Sequence, residues 1–395
     1  MKKIWICALG LLCVLVSYAQ DTRTEDIQGI LRTVEQNNID LQALRQLNRA
    51  AGLDVEFQNM LTDPTVEYSP FFQNGVGGVA SSEFILRQSF DFPTLYLARN
   101  KSTDIWIETL ELQYQGARQD ILLQAKQLCL DLIYQNQVLE LLQRRMKNAE
   151  SLRELSNKRL EKGAGTLLDV NKVKMELMKI QSETVQAETA RQNALESLRI
   201  LNGNQAIEFD SVKYEFTEPA EDDSSLYNRI VAEDYGIRTT QSAERVAYQN
   251  VKISKQGWLP KLDLGYRRNT SMDEESNGFL VGISIPLFSP RNRIKAAQAQ
   301  YEAARLQGEQ ARILAESRSR SRINEMRQLQ SALEVYDPEL MNQMLELLRS
   351  SLEKGEISMI DYYTEADGVY QNLQNYMNLS RQYQGIIADI YKFDL

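Results

Sequence analysis

The chain has 395 residues, no histidine, three cysteines and a formal net charge of −9, from 54 acidic against 45 basic side chains. An acidic balance argues against a nucleic-acid partner, which requires a basic face. Without histidine, imidazole acid–base catalysis and histidine-built zinc sites are excluded. Neither a dinucleotide or phosphate-binding glycine loop nor a Gly-x-Ser-x-Gly elbow is present, so nothing argues for an enzyme, a cofactor or a metal site.

At the N-terminus Lys2 and Lys3 precede an apolar run from Ile4 to Val16, and Ser17-Tyr18-Ala19 places small residues, Ser17 and Ala19, before Gln20. This pattern predicts a cleaved secretory signal over 1–19; a membrane-spanning helix needs about twenty apolar residues. Cys13 raises lipid modification, against which Leu12 stands where a small residue is usual. With Cys7 and Cys13 removed, Cys129 alone remains and no intrachain disulfide forms. Loss of Lys2 and Lys3 takes the net charge from −9 to −11.

Next come a helix expected over 25–59, a β-hairpin over about 63–92 and a long helix from Pro93 to Glu161. In the long helix Ala125, Leu132, Leu139 and Met146 alternate at three-four spacing with Leu128, Gln135, Leu142 and Ala149, a coiled-coil seam. Its 69 residues predict about 100 Å, beyond any compact domain. A turn at Lys162-Gly163-Ala164-Gly165 leads to a helix over 168–202, and a linker, 203–221, follows. Helix is expected again over 222–257, then a hairpin over about 259–288, a helix over 290–353 interrupted at Asp337-Pro338 by a bend, a turn over about 354–361 and a helix over 360–393. Carboxylate pairs such as Glu325 with Glu334, or Asp222 with Asp223, fall on solvated helical or linker sequence.

Internal repetition organises these elements. Leu160-Glu161-Lys162-Gly163 recurs as Leu352-Glu353-Lys354-Gly355, with Asp169 and Asp361 six residues past each glycine; the strand segments recur at a separation of 196. The chain therefore divides into a first repeat, 20–202, and a second, 222–395. Each short pair of helices, laid end to end, matches a long one in length.

The strands alternate as a surface between lipid and water demands. Val66, Tyr68 and Phe72 oppose Glu67, Ser69 and Gln73; Phe84, Leu86 and Phe90 oppose Glu83, Arg87 and Ser89. In the second hairpin Leu262, Leu264 and Tyr266 oppose Asp263, Gly265 and Arg267, while Phe279, Val281, Ile283, Ile285 and Leu287 oppose Gly282 and Ser284. The turns are expected around Gly75, Gly77 and Gly78 and over 269–278. Runs of about ten residues suit tilted membrane strands. Four strands cannot close a barrel, and open edges cannot face lipid, so three chains giving twelve strands are expected.

The doubled Gly163-x5-Asp169 and Gly355-x5-Asp361 turns, Ile285-Pro286-Leu287-Phe288-Ser289-Pro290-Arg291-Asn292-Arg293, and Ile357-Ser358-Met359-Ile360-Asp361-Tyr362-Tyr363 together resemble the TolC-like outer-membrane efflux proteins. The resemblance implies a mainly α fold with two structural repeats and a membrane β-barrel, assembled as a homotrimer with a twelve-stranded barrel and an α-helical tunnel. It implies an outer-membrane exit duct with its tunnel in the periplasm, carrying drugs or metal ions from a periplasmic adaptor and an inner-membrane pump. A protein-secretion duct and a periplasmic coiled-coil scaffold remain alternatives.

By the same resemblance the tips, Lys162, Gly163, Ala164, Asp169, Lys354, Gly355 and Glu356, contact the adaptor, although the glycines also serve the turns themselves. Asp361 falls on the family aspartate at the closed periplasmic aperture. The second family aspartate is Thr364 here, and Glu365, one helical turn from Asp361, is the candidate for a second layer. Asp361 also stands where it caps a helix starting near Ile360.

Overall fold

The computed structural model describes residues 26–75, 77–214, 222–271, 274–286 and 290–395. The expected signal segment 1–19 with Cys7 and Cys13, the linker residues 215–221, and Leu287, Phe288 and Ser289 lie outside the described residues. In chain order the elements are α1 (Ile27–Asn37), α2 (Ile39–Phe57), β1 (Thr65–Phe71), β2 (Ser81–Phe90), α3 (Pro93–Glu161), α4 (Leu167–Leu201), α5 (Asp223–Glu233), α6 (Tyr235–Lys255), β3 (Lys261–Ser271), β4 (Glu275–Ser284), α7 (Pro290–Leu333), α8 (Pro338–Lys354) and α9 (Met359–Ile390).

Long apolar seams make α3 the spine. It begins with Pro93 in its first turn, where a missing N–H costs nothing, runs 69 residues, and packs on α1, α2, α4, α6 and α9. Cys129 is fully buried in its seam with Leu122, Ala125 and Leu132, against Ile30 of α1 and Leu198 of α4.

Both helices expected to precede the hairpins, 25–59 and 222–257, are broken in two. At Asn38 the backbone turns extended and the side-chain oxygen accepts the Leu41 N–H at 2.9 Å; Asp234 does the same for Ile237 at 2.9 Å. Each break is a helix cap inside an otherwise helical pattern. The break at Asn38 lets α1 and α2 meet the end of α4: Asn37 donates to Asn202 at 3.0 Å and Asn38 donates to the Leu201 carbonyl at 2.9 Å. Gly203 follows with φ +62°, and a Cβ there would lie 2.4 Å from the Asn37 carbonyl oxygen, so only glycine closes this joint.

The second long arm is interrupted fully rather than bent, since residues 334–337 separate α7 from α8. Asp337 ends the break by accepting the N–H groups of Glu339 and Leu340 at 3.0 and 2.9 Å, with Pro338 next.

The four strands form one antiparallel sheet in the order β1-β2-β3-β4. The second hairpin extends further than its polar tip suggested: Asn269 pairs with Ser276 and Thr270 with Glu275, so residues expected in a loop over 269–278 continue the ladder. Backbone bonds, indifferent to side-chain polarity, extend it. Phe72 and Ile285 fall just beyond the strand ends.

Register sorts the two faces. Val66, Leu86, Tyr266 and Phe279 stand in one row across all four strands, flanked on the same face by Leu264 with Val281 and by Leu262 with Ile283. The opposite face carries the Glu83–Arg267 ion pair and the Ser89–Asp263 hydrogen bond. Phe279 is 93% exposed, whereas Ile85, on the polar face, is 9% exposed, so the polar face is the more enclosed. At about 3.4 Å per residue, the 11 residues of β3 extend about 37 Å; tilted by about 45° they rise about 26 Å, the height of a barrel's apolar band. Among the described residues no helix is long and apolar enough to cross a membrane.

The helices continue the order of the strands. Toward the sheet α2 packs on α3, α3 on α6 and α6 on α7; at the other end the order is α4, α3, α9 and α8.

Candidate functional site

Far from the sheet, two reversals form the tips of this helical layer, and their local chemistry is nearly the same. After α3, Gly163 takes φ +69° and the Ala164 N–H returns to the Arg159 carbonyl at 2.8 Å; after α8, Gly355 takes φ +79° and the Glu356 N–H returns to Ser351 at 2.9 Å. Such left-handed helix ends favour glycine. Lys162, Gly163, Ala164, Lys354, Gly355 and Glu356 are all exposed. Arg159 donates to the Leu352 carbonyl at 3.1 Å, which brings the two tips side by side.

Both following helices open with a capping box. The Asp169 N–H donates to the Thr166 hydroxyl oxygen at 3.1 Å, and the Asp169 carboxylate accepts the Thr166 N–H at 2.9 Å and its hydroxyl at 2.7 Å. The Asp361 N–H likewise donates to Ser358 at 3.2 Å, and its carboxylate accepts the Ser358 N–H at 3.3 Å and hydroxyl at 2.6 Å. The structure therefore places the expected tip residue Asp169 and the expected aperture residue Asp361 in helix caps. Glu365 lies on an exposed stripe of α9 with Asp361, Thr364 and Gly368.

Sequence reasoning missed Arg145, whose side chain is 4% exposed between α3, α4 and α9. It donates to Glu176 at 2.8 Å, Glu183 at 3.0 Å and Asp367 at 3.3 Å, and its guanidinium lies 4.7 Å from the centre of the Tyr370 ring. Lys179 also pairs with Asp367. Burial pushes the Asp367 carboxyl up, but the Lys179 hydrogen bond and the charges of Lys179, Arg145 and Lys172 outweigh it and hold the group below its ordinary value. The three carboxylates are thus committed to cations, and no group of described residues is arranged to hold a metal ion.

Tipward of this knot, Asn148 donates to the Tyr362 hydroxyl at 2.5 Å. Burial keeps Tyr362 and Tyr363 protonated and pushes Tyr370 up to about 12. Asn148 Oδ1, Ser156 Oγ and the Tyr363 hydroxyl are buried without hydrogen-bond partners. The α3–α9 contact near the tip is accordingly less well satisfied than the knot.

Residues 226–393 match the family described as outer membrane efflux protein. No curated protein matches the chain. Among solved structures, a membrane protein from Pseudomonas aeruginosa is 17% identical with a TM-score of 0.75, over 93% of this chain and 89% of that one. VceC, an outer membrane protein of Vibrio cholerae, is 16% identical with a TM-score of 0.74, over 92% and 94% of the two chains. The outer membrane channel CmeC of Campylobacter jejuni is 15% identical with a TM-score of 0.71, over 93% and 85%. The chain thus resembles the outer-membrane efflux proteins in its second half by sequence and along nearly its whole length by fold.

Removing one partner from a buried ion network leaves the others uncompensated. Arg145→Ala is expected to destabilise the folded chain by about 3–5 kcal/mol in denaturant titrations. Because the Asp367 carboxyl is held below its ordinary value of 3.8, its contribution is present above that pH and lost as the pH falls through the lowered folded value. Asp367→Asn should flatten this part of the acid limb.

Proposed function

We propose that this chain, on the strength of its efflux-family second half and its outer-membrane-channel fold, is the exit duct of a tripartite efflux system. Three copies form a passive channel that carries small molecules across the outer membrane. The observation that carries this reading is the open sheet: one face is apolar and exposed, and the outer edges of β1 and β4 have no partner strand among the described residues. Backbone groups without partners cannot face lipid, and pairing β4 of one copy with β1 of the next satisfies them. Three copies make twelve strands, within the range of membrane barrels.

The helical edges support the same closure. On α2, Ile39, Ala43, Gln46, Ala50, Leu53 and Phe57 keep a three-four spacing and are exposed; on α7, Ala299, Ala303, Leu306, Gln310 and Ile313 do the same. Each is a coiled-coil seam without a partner among the described residues, and the two lie on opposite edges of the layer, as β1 and β4 do. A periplasmic scaffold would have no use for the exposed apolar sheet face.

In this reading the polar face of the sheet lines the pore and the helices descend into the periplasm. The paired tips, with Lys162, Gly163, Ala164, Asp169, Lys354, Gly355 and Glu356, meet the periplasmic adaptor of an inner-membrane pump. The exposed α9 stripe containing Asp361 and Glu365 lines the closed aperture, where three like charges around an axis favour cations.

Ile283→Arg places a charge on the proposed lipid face at a cost of about 2–4 kcal/mol near the bilayer midplane. Less trimer is expected in outer-membrane fractions resolved on unheated gels, and an unchanged trimer level would count against the barrel. Ala164→Trp adds bulk to the exposed tip away from the positive-φ glycines. Efflux in intact cells should fail while the trimer persists; full efflux would exclude docking at this tip.

A further inference from the structure

Toward the sheet the free helical edges are α2 and α7; at the tip end they are α4 and α8, and each leaves an apolar stripe uncovered. On α4 the stripe holds Met175, Met178 and Val185; on α8 it holds Leu340 and Met344. In the break before α8, Val335 is 82% exposed, whereas its neighbour Tyr336 packs its ring 6.1 Å from that of Tyr376 on α9. Capping of α8 is the work of Asp337, with Pro338 next to it, so Val335 has no part in it.

Heights along the layer follow from contacts inside the chain. Arg159 of α3 reaches the Leu352 carbonyl of α8, and Arg145 of α3 binds Glu176 and Glu183 of α4. Leu340, twelve residues before Leu352, therefore stands level with α3 just past Arg145, and so with α4 near Met178. Because α4 and α8 run in opposite directions, Met344 is then level with Met175, and Val335 with Val185. Charge follows the same register: Lys172 and Lys174 are level with Glu346, all three are exposed, and none has a hydrogen bond or ion pair among the described residues.

Two stripes on opposite edges of one layer cannot cover each other, but a rotated second copy brings them together. We propose that the α7–α8 break and α8 form one docking strip for α4 of the adjacent copy, with Val335 seated at Val185, Leu340 at Met178 and Met344 at Met175, and with Glu346 facing Lys172 and Lys174. This assignment rests on the three-copy duct and adds which helices meet in the tip half, in what register, and what the break is for. The break carries Val335 out of the α7–α9 packing to the next copy, where it fixes the register of an apolar seam flanked by opposite charges. The kind of partner is set by the fit: an antiparallel helix with methionines and a valine at matching heights and lysines beside them.

The test uses the full-length chain in isolated outer membranes, with paired cysteines oxidised and read on non-reducing gels, and with the trimer read on unheated gels before oxidation. A disulfide forms only where Cα atoms come within about 7 Å. Val335→Cys with Val185→Cys, and separately Leu340→Cys with Met178→Cys, are expected to convert most chains into linked dimers and trimers. Leu168 lies 17 residues from Val185, about 25 Å along α4, so Val335→Cys with Leu168→Cys should leave single chains; Cys129 is fully buried and adds no background. Glu346→Lys should lower the temperature at which the trimer falls apart, and adding Lys172→Glu and Lys174→Glu to the same chain should restore it. A trimer in which the displaced pair is linked and the matched pairs are not overturns the register. A trimer in which no pair is linked overturns the docking of α4 here and leaves the strip to a different partner, such as the adaptor. Absence of any trimer contradicts the duct itself and this contact with it.

Discussion

Two rows of backbone N–H and C=O groups, along the free edges of β1 and β4, are the constraint on which this architecture turns. In water an open edge is a hazard for aggregation; in hydrocarbon it is untenable, because each unpaired group loses several kcal/mol of hydration with nothing in return. In the proposed duct the apolar row Val66, Leu86, Tyr266 and Phe279 faces lipid, and the sheet edges find each other across chains. The order α2-α3-α6-α7 beneath β1-β2-β3-β4 then leaves helical edges to be closed by the same rotation. One symmetry operation satisfies both layers.

Duplication explains most of the remaining regularity. The helix breaks at Asn38 and Asp234 share the separation of the strands, whereas the tips at Gly163 and Gly355 are four residues closer. Four residues are therefore missing from the second long arm. A loss of four shifts the heptad phase of a coiled coil and demands local rewinding. The interval between Leu333 and Pro338, closed by the Asp337 cap, lies in that arm and provides a place where the two phases can be reset without strain in either helix.

How much was legible in the sequence follows from how far each signal reaches. The limits of α3 were readable, because Pro93 and Lys162-Gly163 are local punctuation around an unbroken heptad pattern. Both hairpins were visible as period-two alternation, yet the turn over 269–278 was drawn too wide, since Asn269 and Thr270 pair through backbone atoms that composition does not report. Asn38 and Asp234 looked like tolerable helix residues; in the structure each caps the helix that follows it, and Asn38 also donates to the distant Leu201 carbonyl. Arg145 was invisible for the same reason. Its partners lie on α4 and α9, and one arginine in a seam of leucines announces neither its carboxylates nor its burial. At the tips the sequence showed matching aspartates and offered Asp361 both as an aperture residue and as a cap; the structure adds the capping partner, Ser358.

The claim that organises all of this is the number of copies needed to close the sheet. Native mass spectrometry of the protein extracted from outer membranes in mild detergent measures it directly. A dominant species of three chains, which falls apart only on heating, is the predicted result. A dominant species of one or two chains that still conducts in a bilayer would contradict the account, because four or eight strands with this register leave no room for a tunnel walled by every long helix.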